Sequence, residues 1–312
     1  MKRTNEGDFK HKDEHDLNHH QQESSSSSAM VDEEPTQGSS SEVINTNVQV
    51  FPTISYREKK KASSKEQYSR FPVRVRAHCN PLSDEFFDYP KRPSDVNWQE
   101  MYPKMKIETE KVQILDVGCA YGGLITSIAP VFPKTYILGV EIRKKVAEFT
   151  QQRILALREG KALDETPQDK AKVETGHDFH NVWAIRSNAM KFLPNYFKKG
   201  QLKKILFMFP DPHFKKKNHR RRIVSPSLIP EYSYLLEVGG LIYTITDVQE
   251  LGEWMAKSFE EELVPLGAFE RVSQEELDND PLIPFIMISS EDGQRTSEQH
   301  LSKHLAVFRK LK

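Results

Sequence analysis

The stretch Val112–Gly123 reads VQILDVGCAYGG. Its first half is a short apolar run; its second half is a glycine-rich turn leading into GLITSIAPVFP. A continuous apolar run of this length fits a strand buried on both faces, and such strands belong to parallel sheets covered by helices. The turn after it allows close backbone approach, and the helix that follows opens with unpaired N–H groups.

Working outward, the downstream chain alternates in the same way. GGLITSIAPVFP reads as a helix stopped by Pro133, and YILGVE as a second strand. RKKVAEFTQQRILALREG has apolar residues at 146, 149, 154, 155 and 157, an amphipathic helix ended by Gly160. Residues 161–180 are charged and break the periodicity, so they read as a surface loop. NVWAIR and ILFMF are strands three and four. SPSLIPEYSYLLEVGG is expected as a helix capped by Ser225 and stopped by Gly239, followed by the strand LIYTITD, the helix VQELGEWMAKSFEEEL and a last strand in HLAVFRKLK. Strands alternating with helices predict an α/β fold, a doubly wound and mostly parallel sheet. Ligands in such sheets bind beyond the carboxyl ends of the strands.

Upstream, the character changes. Residues 1–50 hold four Lys/Arg against ten Asp/Glu, and the rest of the chain holds 41 against 35, so a net charge of zero conceals an acidic tail on a basic domain. The tail, with its run Ser24–Ser28, cannot bury enough apolar surface to offset chain entropy and reads as disordered. His11, His15 and His19 are spaced at i, i+4 and i+8, yet in such a tail they read as solvated, and no metal site is expected. Arg57 to Arg76 carry eight Lys/Arg, a pattern that fits a nuclear-import signal, a phosphate-contacting arm or a solvated linker. VRVRAHCNPLSDEFF then mixes alternation with turn signals, as expected of a segment docked on the domain. We divide the chain into a tail, 1–66, and a domain, 67–312. Two cysteines exclude a disulfide framework and suit a reducing compartment. There is no apolar run near 18 residues and no secretory leader, so the expectation is a nuclear or cytosolic protein without membrane association.

The strand ends carry the chemistry. Gly118, Ala120 and Gly123 fit a dinucleotide fingerprint, G-x-A-x-x-G; Gly118 and Gly122 fit the G-x-x-x-G spine of an adenosylmethionine loop; a plain strand–helix turn is the third reading. Glu141, at the end of strand two, is placed to accept hydrogen bonds from both hydroxyls of an adenosine ribose, with Arg143 close behind. Asn188, with Ala189 beside it, follows strand three and could meet an adenine edge. Strand four runs into Pro210-Asp211-Pro212-His213, and then seven of eight residues from Lys215 to Arg222 are Lys, Arg or His. The prolines fix φ on either side of one carboxylate. A carboxylate can accept both N1–H and N2–H of guanine, while Lys215, Lys216, Lys217, Arg220, Arg221 and Arg222 would hold nucleic-acid phosphates. The blander reading is a solvated basic loop with Asp211 as a local turn cap.

RAHCNPLSD (76–84), LDVGCAYGG (115–123), LGVEIR (138–143), RSNAMKFLPN (186–195), FPDPHFKKKNHRRRI (209–223), VGGLIYTITDV (238–248) and SSEDG (289–293) together resemble the eukaryotic tRNA (guanine-N7)-methyltransferases, catalytic subunits that modify a variable-loop guanosine. The resemblance spans residue 71 to the C-terminus. It implies the class I methyltransferase Rossmann-like sheet and S-adenosylmethionine as methyl donor, contacted by Gly118, Glu141, Arg143, Asn188, Ala189, Met208, Ser290 and Asp292. It makes Asp211 the catalytic aspartate and implies tRNA and a WD-repeat β-propeller subunit as partners, with nuclear residence. Beside Asp211, His213 reads either as a further RNA contact or as an ordinary surface histidine. Relatives usually have Gly at position 120 and Thr-Glu-Glu-Gly in the late loop, where this chain has Ala120 and Ser290-Glu291-Asp292-Gly293. The competing readings are a dehydrogenase, a methyltransferase of another nucleic-acid group, and a non-catalytic RNA-binding subunit.

Overall fold

The computed structural model describes residues 79–163, 167–288, 297, 299 and 302–312. The acidic tail, the basic stretch Arg57–Arg76, and Ser290 and Asp292 lie outside them. So does the 66/67 boundary.

After a short 3-10 turn at Pro93–Asp95 and α1 (Trp98–Met101), strands and helices alternate. The order is β1 (Val112–Val117), α2 (Gly123–Ile128), β2 (Tyr136–Glu141), α3 (Lys144–Arg158), α4 (Pro167–Glu174), β3 (Val182–Arg186), α5 (Ala189–Tyr196) and β4 (Leu202–Met208). A 3-10 helix, Lys216–Arg221, precedes α6 (Ile229–Leu235), β5 (Leu236–Thr246) and α7 (Gln249–Glu262). The chain closes with β6 (Phe269–Arg271), α8 (Gln274–Asp278), α9 (Ile283–Ile288) and β7 (His304–Lys310). Seven strands form one sheet in the order β3-β2-β1-β4-β5-β7-β6, the first five parallel and β7 antiparallel to both neighbours. This is the doubly wound α/β sheet that the sequence predicts.

Alternation along each strand sends residues to two cores. Leu115, Val117, Ile205, Phe207 and Ile242 pack with Leu193, Tyr232, Met255 and Phe259 of α5, α6 and α7. Ile114, Leu206, Met208, Tyr243 and Ile245 pack with Leu124, Ile125, Ile154 and Leu157 of α2 and α3, and with Phe285 of α9. Both faces are therefore covered, which is why β1 and β4 carry no polar alternation.

Four local expectations are corrected. The helix α2 ends at Ile128 rather than near Pro133, because Pro130 lacks the N–H the next turn requires. Residues 161–180 are not only a surface loop: Pro167–Glu174 form α4, with Asp169 and Lys172 buried. Ser225 does not cap α6 and Gly239 does not stop it; the helix ends at Leu235 and β5 begins at once. Gly239, at φ +82°, lies where the pairing jumps from Leu202↔Leu236 to Lys204↔Leu241. The elements β6, α8 and α9 carry no signal that we read beforehand.

The order reverses between β1 and β4. Strand β1 leads to β2 on one side, and β4 leads away on the other, leaving a crevice beyond their carboxyl ends. Val117 pairs with Phe207, so the residues following these two strands leave the sheet side by side.

Candidate active site

The turn after β1 crosses over β2. Gly118 N–H and Cys119 N–H both donate to the Val140 carbonyl, at 2.7 and 3.2 Å. Three residues in five then take left-handed backbone: Gly118 at φ +83°, Ala120 at +46° and Gly122 at +77°. Glycine bears this freely; Ala120 bears it with strain. A Cβ built at Gly118 would meet nothing within 4 Å, so the backbone there faces open space. By contrast, a Cβ at Gly139 of β2 would stand 2.5 Å from the Cys119 Sγ, so the glycine in β2 lets the turn lie flat on the sheet.

Glu141 ends β2 and is buried. Its Oε1 accepts from the Arg143 N–H at 2.8 Å and from Nε at 2.9 Å, and its Oε2 accepts from Nη2 at 3.0 Å. A carboxylate offers roughly four acceptor positions, so about one is left without moving Arg143. A vicinal diol at Glu141 therefore engages one position directly and shares or displaces the guanidinium at the other. Asn188 caps α5, its Oδ1 accepting from Met190 N–H at 3.0 Å, and its Nδ2 donates to the Pro81 carbonyl at 2.6 Å. Its side chain is thus committed within the chain, with the buried Ala189 next to it.

The segment predicted to dock does so where it is described. Phe87 is buried under the Arg186 guanidinium, Lys191 reaches the Ser83 carbonyl at 2.9 Å, and Tyr89 stacks on Phe192. Burial pushes the Cys79 thiol pKa up, and both Arg143 and Glu141 are near enough to act on it. Residues 79–81 thus lie beside the exits of β2 and β3. The mixed composition gave a docking segment but not this address.

Strand β4 ends at the buried Met208. Phe209 takes φ +49°, donating its N–H to the Ile245 carbonyl at 2.8 Å, and His213 takes φ +46°. The Pro-Asp-Pro corner is thus bracketed by two non-glycine residues in left-handed backbone, a strain that persists only where the surroundings over-determine it. Asp211 has 29% of its side chain exposed; its Oδ1 accepts from the His213 N–H at 3.2 Å, and its Oδ2 lies 3.7 Å from His213 Nδ1. It is a local turn cap and a partly exposed carboxylate at once. The His213 side chain is 9% exposed and turned to Asp211, so it supports that carboxylate instead of reaching outward for phosphate.

The basic run divides. Lys215, Lys216, Lys217 and Arg220 are exposed and Arg221 is half-buried. Residues 216–221 form a 3-10 helix instead of an irregular basic loop. Arg222 is the correction: it is 1% exposed and is no phosphate contact. Its Nε donates to the Pro212 carbonyl at 2.9 Å, its Nη2 pairs with Glu250 at 2.8 Å, and the guanidinium lies 4.8 Å from the Trp254 ring centroid. Arg222 ties the Pro-Asp-Pro corner to α7. Phe214, 67% exposed between Asp211 and the lysines, escaped the sequence reading; a bare aromatic flanked by cations is the signal that could have found it.

A family model described as "Putative methyltransferase" matches residues 110–306. A tRNA (guanine-N(7)-)-methyltransferase of Bombyx mori is 46% identical over 238 residues, covering 76% of this chain and 93% of that protein. Proteins of the same name from Mus musculus and Arabidopsis thaliana are 45% and 44% identical, covering 76% of this chain and 89% and 90% of their own lengths. The chain belongs to the tRNA (guanine-N(7)-)-methyltransferase family. The matched region of this methyltransferase holds β1, β2, β3 and β4 and the residues that follow their carboxyl ends, from Gly118 to Asp211.

Because Arg222 is a buried strut, Arg222→Met should lower stability by about 2 kcal/mol, through the Pro212 carbonyl left unpaired and the lost contact with the Trp254 ring. Lys216→Ala, at an exposed position, should stay within about 0.5 kcal/mol of wild type. Denaturant unfolding of both variants checks this, and equal shifts would contradict the buried role.

Proposed function

We propose that this chain transfers a methyl group from S-adenosylmethionine to N7 of a variable-loop guanosine in tRNA. The observation that carries the reading is the adjacency of two exits at the sheet's reversal point, the open Gly118 turn after β1 and the proline-fenced Asp211 after β4. The identity to tRNA (guanine-N(7)-)-methyltransferases over three quarters of the chain supports the substrate.

The residues fit the donor. Gly118 leaves a space that any side chain would fill, and the buried Glu141 keeps an acceptor for a ribose hydroxyl at the next strand end. Arg143, Asn188, Ala189 and Met208 border the same strand ends, and Ser290 and Asp292 belong to the proposed set from the late loop. When bound, S-adenosylmethionine supplies a sulfonium methyl carbon that the N7 lone pair takes in line, leaving S-adenosylhomocysteine. Guanine N7 carries no proton, so the protein needs no general base. What it supplies is orientation, with reacting atoms about 3–3.5 Å apart. Asp211 accepts N1–H and N2–H and offsets the positive charge that N7 methylation places on the ring. His213, Arg222 and the two prolines keep that carboxylate in place. Phe214 offers a face for a neighbouring base, and Lys215, Lys216, Lys217, Arg220 and Arg221 meet phosphates.

We also place this chain with a WD-repeat β-propeller subunit and in the nucleus. The motif resemblance supports both, and Arg57–Arg76 adds a basic stretch of the kind import receptors read. Methyl transfer with and without a propeller subunit tests the first; a fluorescent fusion lacking residues 57–76 tests the second.

Tritiated-methyl transfer to total tRNA, followed by nucleoside analysis, should yield 7-methylguanosine and no other labelled nucleoside; label in another nucleoside would refute the substrate. Asp211→Asn keeps the acceptor for the His213 N–H but loses the charge, so turnover should fall at least roughly 100-fold with donor affinity nearly intact. Undiminished turnover in Asp211→Ala would end the role of this residue.

Replacing Lys215, Lys216 and Lys217 with Ala should flatten the dependence of log K on log salt for tRNA by about 2. Phe214→Ala should weaken tRNA binding roughly 5-fold or more with the salt slope unchanged. An altered slope in the Phe214 variant, or an unaltered one in the lysine variant, would break this division of labour.

A further inference from the structure

The helix α4, in the charged stretch that gave no role from sequence, places a carboxylate at the centre of a buried network. Asp169 is 0% exposed. Arg153 of α3 donates to it from Nε, 3.0 Å from either oxygen, and from Nη2 at 2.8 Å. Lys172 Nζ lies 3.3 Å from Asp169 Oδ1 and donates to Thr126 Oγ1 of α2 at 2.8 Å. Burial raises the Asp169 carboxyl pKa, but Arg153 and Lys172 outweigh that and hold it below the ordinary carboxylate range.

The network ends on the Gly118–Gly122 turn. With its remaining nitrogen, Nη1, Arg153 donates to the Tyr121 carbonyl at 2.8 Å. Thr150, one turn earlier on α3, donates to the Ala120 carbonyl at 2.7 Å, and Thr126 donates to the Gly122 carbonyl at 2.7 Å. Three successive carbonyls of the strained turn are thus held by side chains, two of which (Arg153 and Thr126) are in contact with the α4 pair.

We propose that Asp169 is a positioning residue for the donor-binding turn, acting through Arg153 and Lys172 on the carbonyls of Tyr121 and Gly122. The inference rests on the donor reading above. A guanidinium is a rigid fork, so gripping Arg153 on one edge fixes where Nη1 points on the other. Without the Asp169 carboxylate, the Nε–Nη2 edge of Arg153 loses the grip that orients it, and Lys172 loses a contact beside Thr126. Arginine does not give up its proton, so its guanidinium reorients and releases Tyr121. Ala120, at φ +46°, then relaxes to ordinary backbone and the space over Gly118 closes.

The test is calorimetry with S-adenosylmethionine, together with steady-state kinetics on tRNA. Asp169→Asn should raise the donor Kd and donor KM about tenfold. The kcat at saturating donor and the KM for tRNA should stay within about twofold, a split that mere loss of folded protein cannot produce. Asp169→Asn could leave too little folded protein to assay. In the triple variant Arg153→Met, Asp169→Leu, Lys172→Met the three charges of the network are removed together, which costs less than removing the carboxylate alone. It too should show the tenfold donor defect, with a smaller loss of Tm than Asp169→Asn. A folded triple variant with donor Kd within twofold of wild type would overturn the inference and leave the function reading standing. Wild-type protein that binds no S-adenosylmethionine would overturn both.

Discussion

Val117 and Phe207 are paired across the β1–β4 ladder, and this one register sets where the rest of the chemistry lies. A shift of one residue would turn the cores of both strands inside out, because Leu115, Val117, Ile205 and Phe207 serve one face and Ile114, Leu206 and Met208 the other. Burial on both faces therefore locks the register. The Gly118 turn and the Pro-Asp-Pro corner inherit that precision, since each begins within a residue or two of a locked pair.

Two strained turns meet at this point, and each is held by cations that sit inside the protein. Arg153 grips the β1 turn and Arg222 the β4 corner. Both guanidiniums donate to a backbone carbonyl and to a carboxylate from a different helix, Asp169 in one case and Glu250 in the other. The outward cations of 215–221 stay at the surface, where the proposed function has them meet the phosphates of tRNA. A run of like charge is thus split by the turn of a 3-10 helix into surface contacts and one structural strut.

The sheet was legible because strands covered on both faces write themselves as apolar runs, and β1 to β5 are such runs. The strand-end residues Gly118, Glu141 and Asp211 were legible because glycine, a lone acid or a proline-fenced acid interrupts an apolar pattern at a position where the fold places ligands. Arg222 was not, since nothing local separates it from its six neighbouring cations; only the chain path shows that it turns inward beneath Pro212. The helix α4 failed for a related reason. Asp169 and Lys172 look like solvated charges until the Asp169 carboxylate is seen buried between Lys172 and Arg153, the latter sixteen residues away in sequence. The three-residue β6 is too short for alternation to show, and it exists because β7 offers it an edge. Asn188 was read for its polarity at a strand end, and the same polarity serves first to cap α5 and hold Pro81.

The central claim is spatial: donor and guanine lie on opposite sides of a gap bounded by the Gly118 turn and the Asp211 corner. A crystal structure with S-adenosylhomocysteine and a guanosine-bearing tRNA fragment measures it directly. The account predicts the ribose hydroxyls at Glu141, backbone of the Gly118 turn against the homocysteine portion, and the Asp211 carboxylate within hydrogen-bond distance of guanine N1 and N2, with N7 facing the sulfur. An Asp211 carboxylate turned from the base, or a thioether bound elsewhere than beyond β1 and β2, would contradict it.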